Sequence, residues 1–320
     1  MKFSIFERTT EDRPMMALGL ILLGVMVLGF QDSLVKVVST STSFWQFQLI
    51  RSIFNLTFIV ILARLTVGLE ILRPRNPAAV LARAIMLSVC MMFFFGAAPQ
   101  ITVTQMAAGL YTYPLFITMM AGPILGEKIG PWRWGALLLG MAGSMTVLQP
   151  FSETFSWVQI MPIIAGFFYA CNIIILRKYC RNESPLSLTF VVAIVFIIFG
   201  GSGGLIVGAL PLDAVSRAEV PFLLVSWPTL TLAVFGFCML ASALNLMGNI
   251  CLSRAYQTAD SSWLAPLDFS YLLFVTLWGK LLFDTVPTPL AALGMVMIAA
   301  AGVVTAVREG YNARLRKQAG

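Results

Sequence analysis

Five ionisable side chains stand inside long apolar runs, where they can do chemistry only with a partner or with water: Asp32, Lys36, Arg51, Asp268 and Lys280. Holding such a group at the centre of a bilayer costs about 2.5–3.5 kcal/mol on insertion scales, so each must face an interior or reach an interface. Asp32 and Lys36 are four residues apart and share a helix face. Asp32 and Arg51 each lie about 10 Å inside run ends that a short connection joins, which suits an ion pair, or an Asp32 shared between Arg51 and Lys36. Such a pair either locks two helices together or meets a solute. Lys36 and Lys280 lie near run ends and suit snorkelling to the surface or a structural contact. Asp268 follows Pro266 by two residues, where a missing backbone donor bends a helix. A carboxylate there suits a proton or a cationic solute group and is the strongest single functional candidate, with a structural role as the alternative.

Around these charges sit aromatic and amide groups. Tyr111 and Tyr113 flank Pro114, and Trp263 and Tyr271 flank Pro266 in a corresponding way. Rings with polar tips suit a planar, partly polar solute, although Trp263 equally suits an interfacial belt. Asn245 and Asn249 are one helical turn apart on one face, and Asn172 and Gln31 are further amides within apolar runs; these bond helix to helix as readily as they bind a ligand. Whole classes of chemistry drop out. With no histidine in the chain, a His-based triad, a His-ligated zinc and a His proton relay are excluded. The cysteines Cys90, Cys171, Cys180, Cys238 and Cys251 lack metal-ligand spacing and read as small apolar residues. No GxxxxGK[ST] loop is present to hold a nucleotide. No organic cofactor or metal is implied.

The elements that must position these groups are membrane helices. Of 320 residues, 59% are hydrophobic and 11% charged, too little polar surface for a soluble domain, which carries about 25% charged residues. The apolar residues come in runs of about 20, the length that crosses roughly 30 Å of hydrocarbon. The expected class is therefore all-α, a polytopic membrane protein whose ten transmembrane helices cover 15–38, 44–67, 79–98, 103–125, 132–149, 157–176, 185–209, 228–252, 261–283 and 287–307. The first run passes through Asp32 without a small-residue cleavage site, so it reads as a span and not as a removable signal peptide. Prolines at 14, 131, 287 and 289 open helices, and Gly68 and Gly126 sit at ends.

Positively charged segments resist translocation, which makes orientation readable from Lys and Arg in alternate connections. On the side shared with both termini lie 17 of them, from Lys2 to Lys317 and including Arg64, Arg73, Arg75, Arg83 and Arg177; the other side has Arg217 alone. Both termini are expected in the cytoplasm, in a plasma (inner) membrane protein. The net charge of +7 is scattered singly at run edges and forms no basic face, which disfavours nucleic acid as a partner. The connections read as outer ones, such as 39–43 and 99–103, are short, so the function must lie inside the bundle.

Two segments look alike: 107–143 and 259–302 each carry a small-residue start, an internal proline (Pro114, Pro266), an acidic turn (Glu127, Asp284) and a Gly/Ala-rich helix. With five helices per half, the second copy enters the membrane from the opposite side, the inverted-repeat geometry of many secondary transporters. The expected units are a segment 1–14, repeats at 15–149 and 150–307, and a tail at 308–320. Glu127 beside Lys128 suits a helix-turn role. Small residues concentrate in the fifth helix (Gly135, Gly140, Gly143) and the tenth (Gly294, Gly302), which suits close packing or a homodimer contact.

The stretches LGEKIGPWRWGALLLGMAG (125–143) and APLDFSYLLFVTLWGKLLFDTVPTPLAALG (265–294) resemble the EamA-domain transporters of the drug/metabolite transporter superfamily. That family carries Gly-Glu at the turn of each half; Asp284-Thr285 departs from it in the second. The resemblance implies ten helices in two five-helix repeats and transport of a small metabolite or drug-like solute, often as export. The segment APLDFSYL is also similar to members proposed to carry riboflavin or S-adenosylmethionine, which makes uptake or exchange of such a vitamin or cofactor the alternative. Expected solute contacts are Asp32, Arg51, Tyr111, Tyr113, Asn245, Asn249, Asp268 and Tyr271. An intramembrane enzyme would need a clustered nucleophile or metal set, and a channel a ring-forming filter; neither pattern is present.

Overall fold

The computed structural model describes residues 14–125, 131–149, 155–258 and 267–318, and every regular element among them is helical. In chain order these are α1 (Pro14–Val38), α2 (Phe44–Thr66), α3 (Pro77–Gly96), α4 (Val103–Leu110), α5 (Tyr113–Leu125), α6 (Pro131–Leu148) and α7 (Met161–Tyr179). They continue with α8 (Pro185–Ala209), α9 (Ala214–Glu219), α10 (Pro221–Leu224), α11 (Leu232–Thr258), α12 (Ser270–Phe283) and α13 (Pro289–Gln318). Among the described residues, six helices are long and apolar enough to cross a membrane: Met15–Val38, Phe44–Thr66, Pro77–Gly96, Trp157–Tyr179, Pro185–Ala209 and Leu232–Ala255. Shorter apolar helices cover Trp134–Leu148, Ser270–Phe283 and Pro289–Val304.

Local chemistry sets the ends. Ser43 accepts a hydrogen bond from the Gln46 amide at the start of α2, and Asn76 does the same for Ala79 with Pro77 at the first helical position of α3. Thr102 and Gln105 form a reciprocal capping box on α4. Gly68, at φ +87°, ends α2 in a conformation that disfavours a side chain.

Three features differ from the sequence expectation. The span expected as one helix over 103–125 breaks between Leu110 and Tyr113. Pro114 has no N–H for the Leu110 carbonyl and its ring crowds it, so the ladder stops one turn earlier. The break is pressed onto α7, since a Cβ added at Gly109 would lie 2.5 Å from Pro162 Cβ and one at Gly166 would lie 2.7 Å from Thr112 Oγ1. The connection after α8 is not a plain loop but holds α9 and α10, too short to show a period in the sequence. The last helix continues to Gln318, past the expected end at 307, because the charged tail keeps good helix formers after the apolar run stops.

Helix α1 packs on α11 and α12, α2 on α8 and α11, α3 on α7 and α8, and α6 on α13, while α4 and α5 lie against α7. Two of the glycines that suited packing or a homodimer contact meet each other inside one chain: a Cβ at Gly143 would lie 2.7 Å from the Gly294 carbonyl oxygen, whereas nothing lies within 4 Å of one at Gly135. Polar groups sit deep in this bundle, with Gln31, Gln48, Arg51 and Asn172 each at most 3% exposed. The surface is largely apolar, as lipid requires. What these buried polar groups surround is a cavity.

Candidate functional site

The cavity has a volume of about 570 Å³ and lies between α1, α2, α3, α7, α8, α11, the start of α12 and the segments at Tyr111 and Asp268. All eight residues expected to meet a solute line it, namely Asp32, Arg51, Tyr111, Tyr113, Asn245, Asn249, Asp268 and Tyr271. Helical periodicity explains why residues so far apart in sequence converge. Arg83, Leu87, Met91 and Phe94 form one stripe on α3, and Tyr169, Asn172, Ile173 and Leu176 form another on α7.

A hydrogen-bonded chain ties three helices together on one wall. Asn245 of α11 donates to Gln31 Oε1 at 3.2 Å, Gln31 donates to Asp32 Oδ1 at 3.1 Å, and the Tyr271 hydroxyl of α12 donates to Asp32 Oδ2. Asn249 donates to the Asn245 carbonyl at 2.8 Å. Asp32 and Arg51 do not form the expected ion pair: no contact within 4 Å joins them, although they remain within electrostatic reach. The carboxylate is already held by Tyr271 and Gln31. The Arg51 guanidinium lies over the rings of Phe47 (5.3 Å) and Phe95 (5.7 Å) and donates to Gln48 Oε1 at 3.2 Å, while its Nε has no hydrogen-bond partner among the described residues.

Tyr271 continues this wall into an aromatic one. Tyr111 stacks on Tyr271 with ring centroids 5.4 Å apart and planes 14° from parallel, and its hydroxyl donates to the Asp268 carbonyl at 3.0 Å. Tyr113 meets Tyr111 and Tyr169 edge-on at 5.8 and 4.9 Å. The helix break at Leu110 is what turns Tyr111 and Tyr113 toward the same space. Asp268 differs from Asp32 in a useful way: its carboxylate has no hydrogen bond or ion pair among the described residues, and it lines the cavity.

The other singled-out charges lie elsewhere. Lys36 does not reach outward; its ammonium donates to the carbonyls of Ala98 (2.7 Å) and Ile101 (2.6 Å), in the connection between α3 and α4. Lys280 pairs with Asp284, the left-handed residue that ends α12. Their side chains are 53% and 86% exposed, and such pairs contribute about 0–1 kcal/mol. Glu127, Lys128, Trp263 and Pro266 lie outside the described residues.

The cavity lining extends to Arg83, Leu176, Thr189 and Ser253, each within roughly two turns of a helix end on one face of the bundle. At the opposite face the connections are laced shut. Trp45 Nε1 donates to the Leu223 carbonyl at 2.7 Å, Gln46 to Pro228 at 2.8 Å, and Lys36 holds the α3–α4 connection as described. A bundle open toward one side and sealed at the other can accept a solute without letting it pass freely.

Arg83, Tyr169 and Asn55 also line the cavity and were not among the expected contacts. Arg83 stands six residues after Pro77, a position at which an arginine ordinarily reaches the membrane surface. The signal that finds it is the polar and apolar stripe it shares with Leu87, Met91 and Phe94.

Residues 15–149 match the EamA-like transporter family. Over 266 residues the chain is 28% identical to a riboflavin transporter of Rhizobium johnstonii, covering 83% of this chain and 80% of that protein. A riboflavin transporter of Vibrio cholerae is also 28% identical, over 65% of this chain and 63% of its own length. A pseudopaline exporter of Pseudomonas aeruginosa is 23% identical over 88% of this chain and 93% of that protein. One solved crystal structure superposes with a TM-score of 0.58 over 89% of this chain and 96% of its own, at 16% identity, which speaks for the fold alone. Over residues 15–149 the chain is thus similar to the EamA-like transporter family, and over most of its length to transporters of small solutes, in agreement with apolar helices packed around a cavity.

Proposed function

We propose that this protein is a secondary transporter that carries a planar, polar metabolite of the riboflavin type by alternating access. The observation that carries the reading is the composition of the cavity: stacked tyrosines on one wall, and amides with two carboxylates and two arginines around them. Rings bind a flat heterocycle, and amides and charges satisfy its polar edge and hydroxylated chain. Run as a facilitated exchanger, such a cycle moves solute down whichever gradient exists, so uptake and export use the same path.

We further assign ten membrane helices to two inverted repeats, 15–149 and 150–307, with both termini on the cytoplasmic side of the plasma membrane. In this scheme α4 and α5 together form the fourth helix, and α7, α8, α11, α12 and α13 are the sixth to tenth. Support comes from the packing. Exchanging each helix for its counterpart turns the α1–α11 pair into α7–α3, α2–α11 into α8–α3, and α1–α12 into α7 with α4 and α5; α2–α8 and α6–α13 map onto themselves. Every one of these pairs is packed, as a two-fold axis in the membrane plane requires. The cavity then opens to the cytoplasm.

A second reading has its own observation. The Asp268 carboxylate, which pairs with no described residue, suits a cationic group such as a sulfonium, and an S-adenosylmethionine uptake transporter of Rickettsia bellii is 23% identical over 63% of this chain. Proteoliposomes holding the purified chain separate the two. Riboflavin uptake should saturate and be competed by unlabelled riboflavin, with S-adenosylmethionine a weak competitor. Flux of S-adenosylmethionine with riboflavin at the protein-free level would overturn the first reading in favour of the second.

A further inference from the structure

Among the described residues, neither arginine of the cavity makes an ion pair within 4 Å. No ion pair within 4 Å joins Arg51 or Arg83 to either cavity carboxylate, because Asp32 is held by Tyr271 and Gln31 and Asp268 pairs with no described residue. Arg51 is 3% exposed and its Nε lacks a hydrogen-bond partner; Arg83 has both Nε and Nη1 buried and unpartnered among the described residues. An arginine that merely snorkels would place those nitrogens in water. Here they are turned inward, in the same lining as Tyr169, which lies within electrostatic reach of both Arg83 and Asp268. Buried guanidinium donors without partners are rare in folded chains and call for an explanation beyond packing.

We infer that Arg83, backed by Arg51, is a substrate-binding residue that receives an adjacent acceptor pair, a carbonyl oxygen and an unprotonated ring nitrogen, on the edge of a flat heterocycle, with the ring laid against the tyrosine wall. This deepens the riboflavin-type reading given above and rests on it. The guanidinium is a planar fork whose parallel donors match two adjacent acceptors in one plane, such as a flavin carbonyl oxygen and the neighbouring unprotonated ring nitrogen; the imide N–H is itself a donor and lies outside that pair. Arg51 reinforces the positive field and is itself fixed by Phe47, Phe95 and Gln48. The carboxylate of Asp268 is left for a donor elsewhere on the solute. The same guanidinium chemistry would also take a phosphate, which a neutral ring edge and an anionic probe tell apart.

Flavin fluorescence quenching by the detergent-purified full chain reads affinity directly, and the melting temperature of the ligand-free protein reads structure. The probes are riboflavin, lumiflavin, which keeps the ring and lacks the sugar chain, and flavin mononucleotide, which adds a phosphate. Arg83→Ala should weaken riboflavin and lumiflavin by the same factor, tenfold or more, with ligand-free melting unchanged or raised. Arg83→Lys should restore only part of the loss, because a point charge does not match two acceptors. Wild-type affinity for riboflavin in Arg83→Ala would overturn the inference. So would a loss confined to riboflavin with lumiflavin unaffected, or a preference for flavin mononucleotide that Arg83→Ala abolishes. A lowered ligand-free melting temperature that Arg83→Lys rescues would make the residue structural. Wild-type protein that binds no flavin would instead overturn the riboflavin-type reading and the inference with it.

Discussion

Replacing Asp268 with asparagine lowers riboflavin flux in proteoliposomes by about tenfold to a hundredfold and leaves the folded protein as stable as before, or more so. The magnitude follows from the loss of a hydrogen bond to a charged group, about 1.5–3 kcal/mol, at roughly 1.4 kcal/mol per factor of ten. The sign of the stability effect follows from geometry. The Asp268 carboxylate pairs with no described residue, so the substitution removes a partly buried charge that nothing in the resting fold repays. Asp32 provides the contrast. Its carboxylate accepts from Tyr271 and Gln31 and so ties α12 to α1, and Asp32→Asn should therefore lower both flux and melting temperature. Equal flux in Asp268→Asn, or equal damage to stability by both substitutions, would show that the two carboxylates do not divide the work in this way.

The second large effect is on folding. Gly294→Val should sharply reduce the melting temperature and the yield of membrane-inserted protein, whereas Gly135→Val should be tolerated. At Gly294 a Cβ would meet the Gly143 carbonyl oxygen at 2.5 Å and Val147 Cγ2 at 2.7 Å, while nothing lies within 4 Å of one at Gly135. Forcing extra atoms into such a contact costs about 1–3 kcal/mol, and more where the obstacle is backbone that cannot swing aside. In lipid the α6–α13 pair has no hydrophobic driving force to offset the loss, because packing itself holds the helices together. Thermal unfolding of the two variants in one detergent gives the comparison. A Gly135 variant as unstable as the Gly294 variant would mean that the glycines act through helix propensity and not through close approach.

Much of this was readable from the residues because ionisable and amide groups stand out against an apolar background. Asp32, Arg51, Asn245 and Asp268 had to face an interior, and four helices that hide polar groups in lipid can only hide them together. Pro114 and its neighbours marked the aromatic wall, although the reading drew one helix where the missing N–H breaks it into α4 and α5. Partner choice was not readable. Whether Asp32 meets Arg51, Lys36 or Tyr271 depends on helix rotation and separation, which sequence spacing does not fix, and the tyrosine reached it first. Lys36 similarly found two carbonyls freed at the end of α3 before it found the surface. Arg83 was missed because six residues from a helix start is also where snorkelling arginines stand, and only the stripe formed with its neighbours tells the cases apart. The connection that holds α9 and α10 carries no periodic signal at all.

The central claim is that a solute occupies the cavity within one chain on its way across the membrane, and cysteine protection tests it most directly. In a cysteine-free background, single cysteines at Asn249, which lines the cavity, and at Arg73, an exposed position in the α2–α3 connection outside the cavity, are treated with a membrane-impermeant thiol reagent from the open side. Riboflavin should slow labelling at position 249 in proportion to its occupancy and leave position 73 unchanged. Undiminished labelling at 249, under conditions in which the same protein carries riboflavin, would place the path elsewhere.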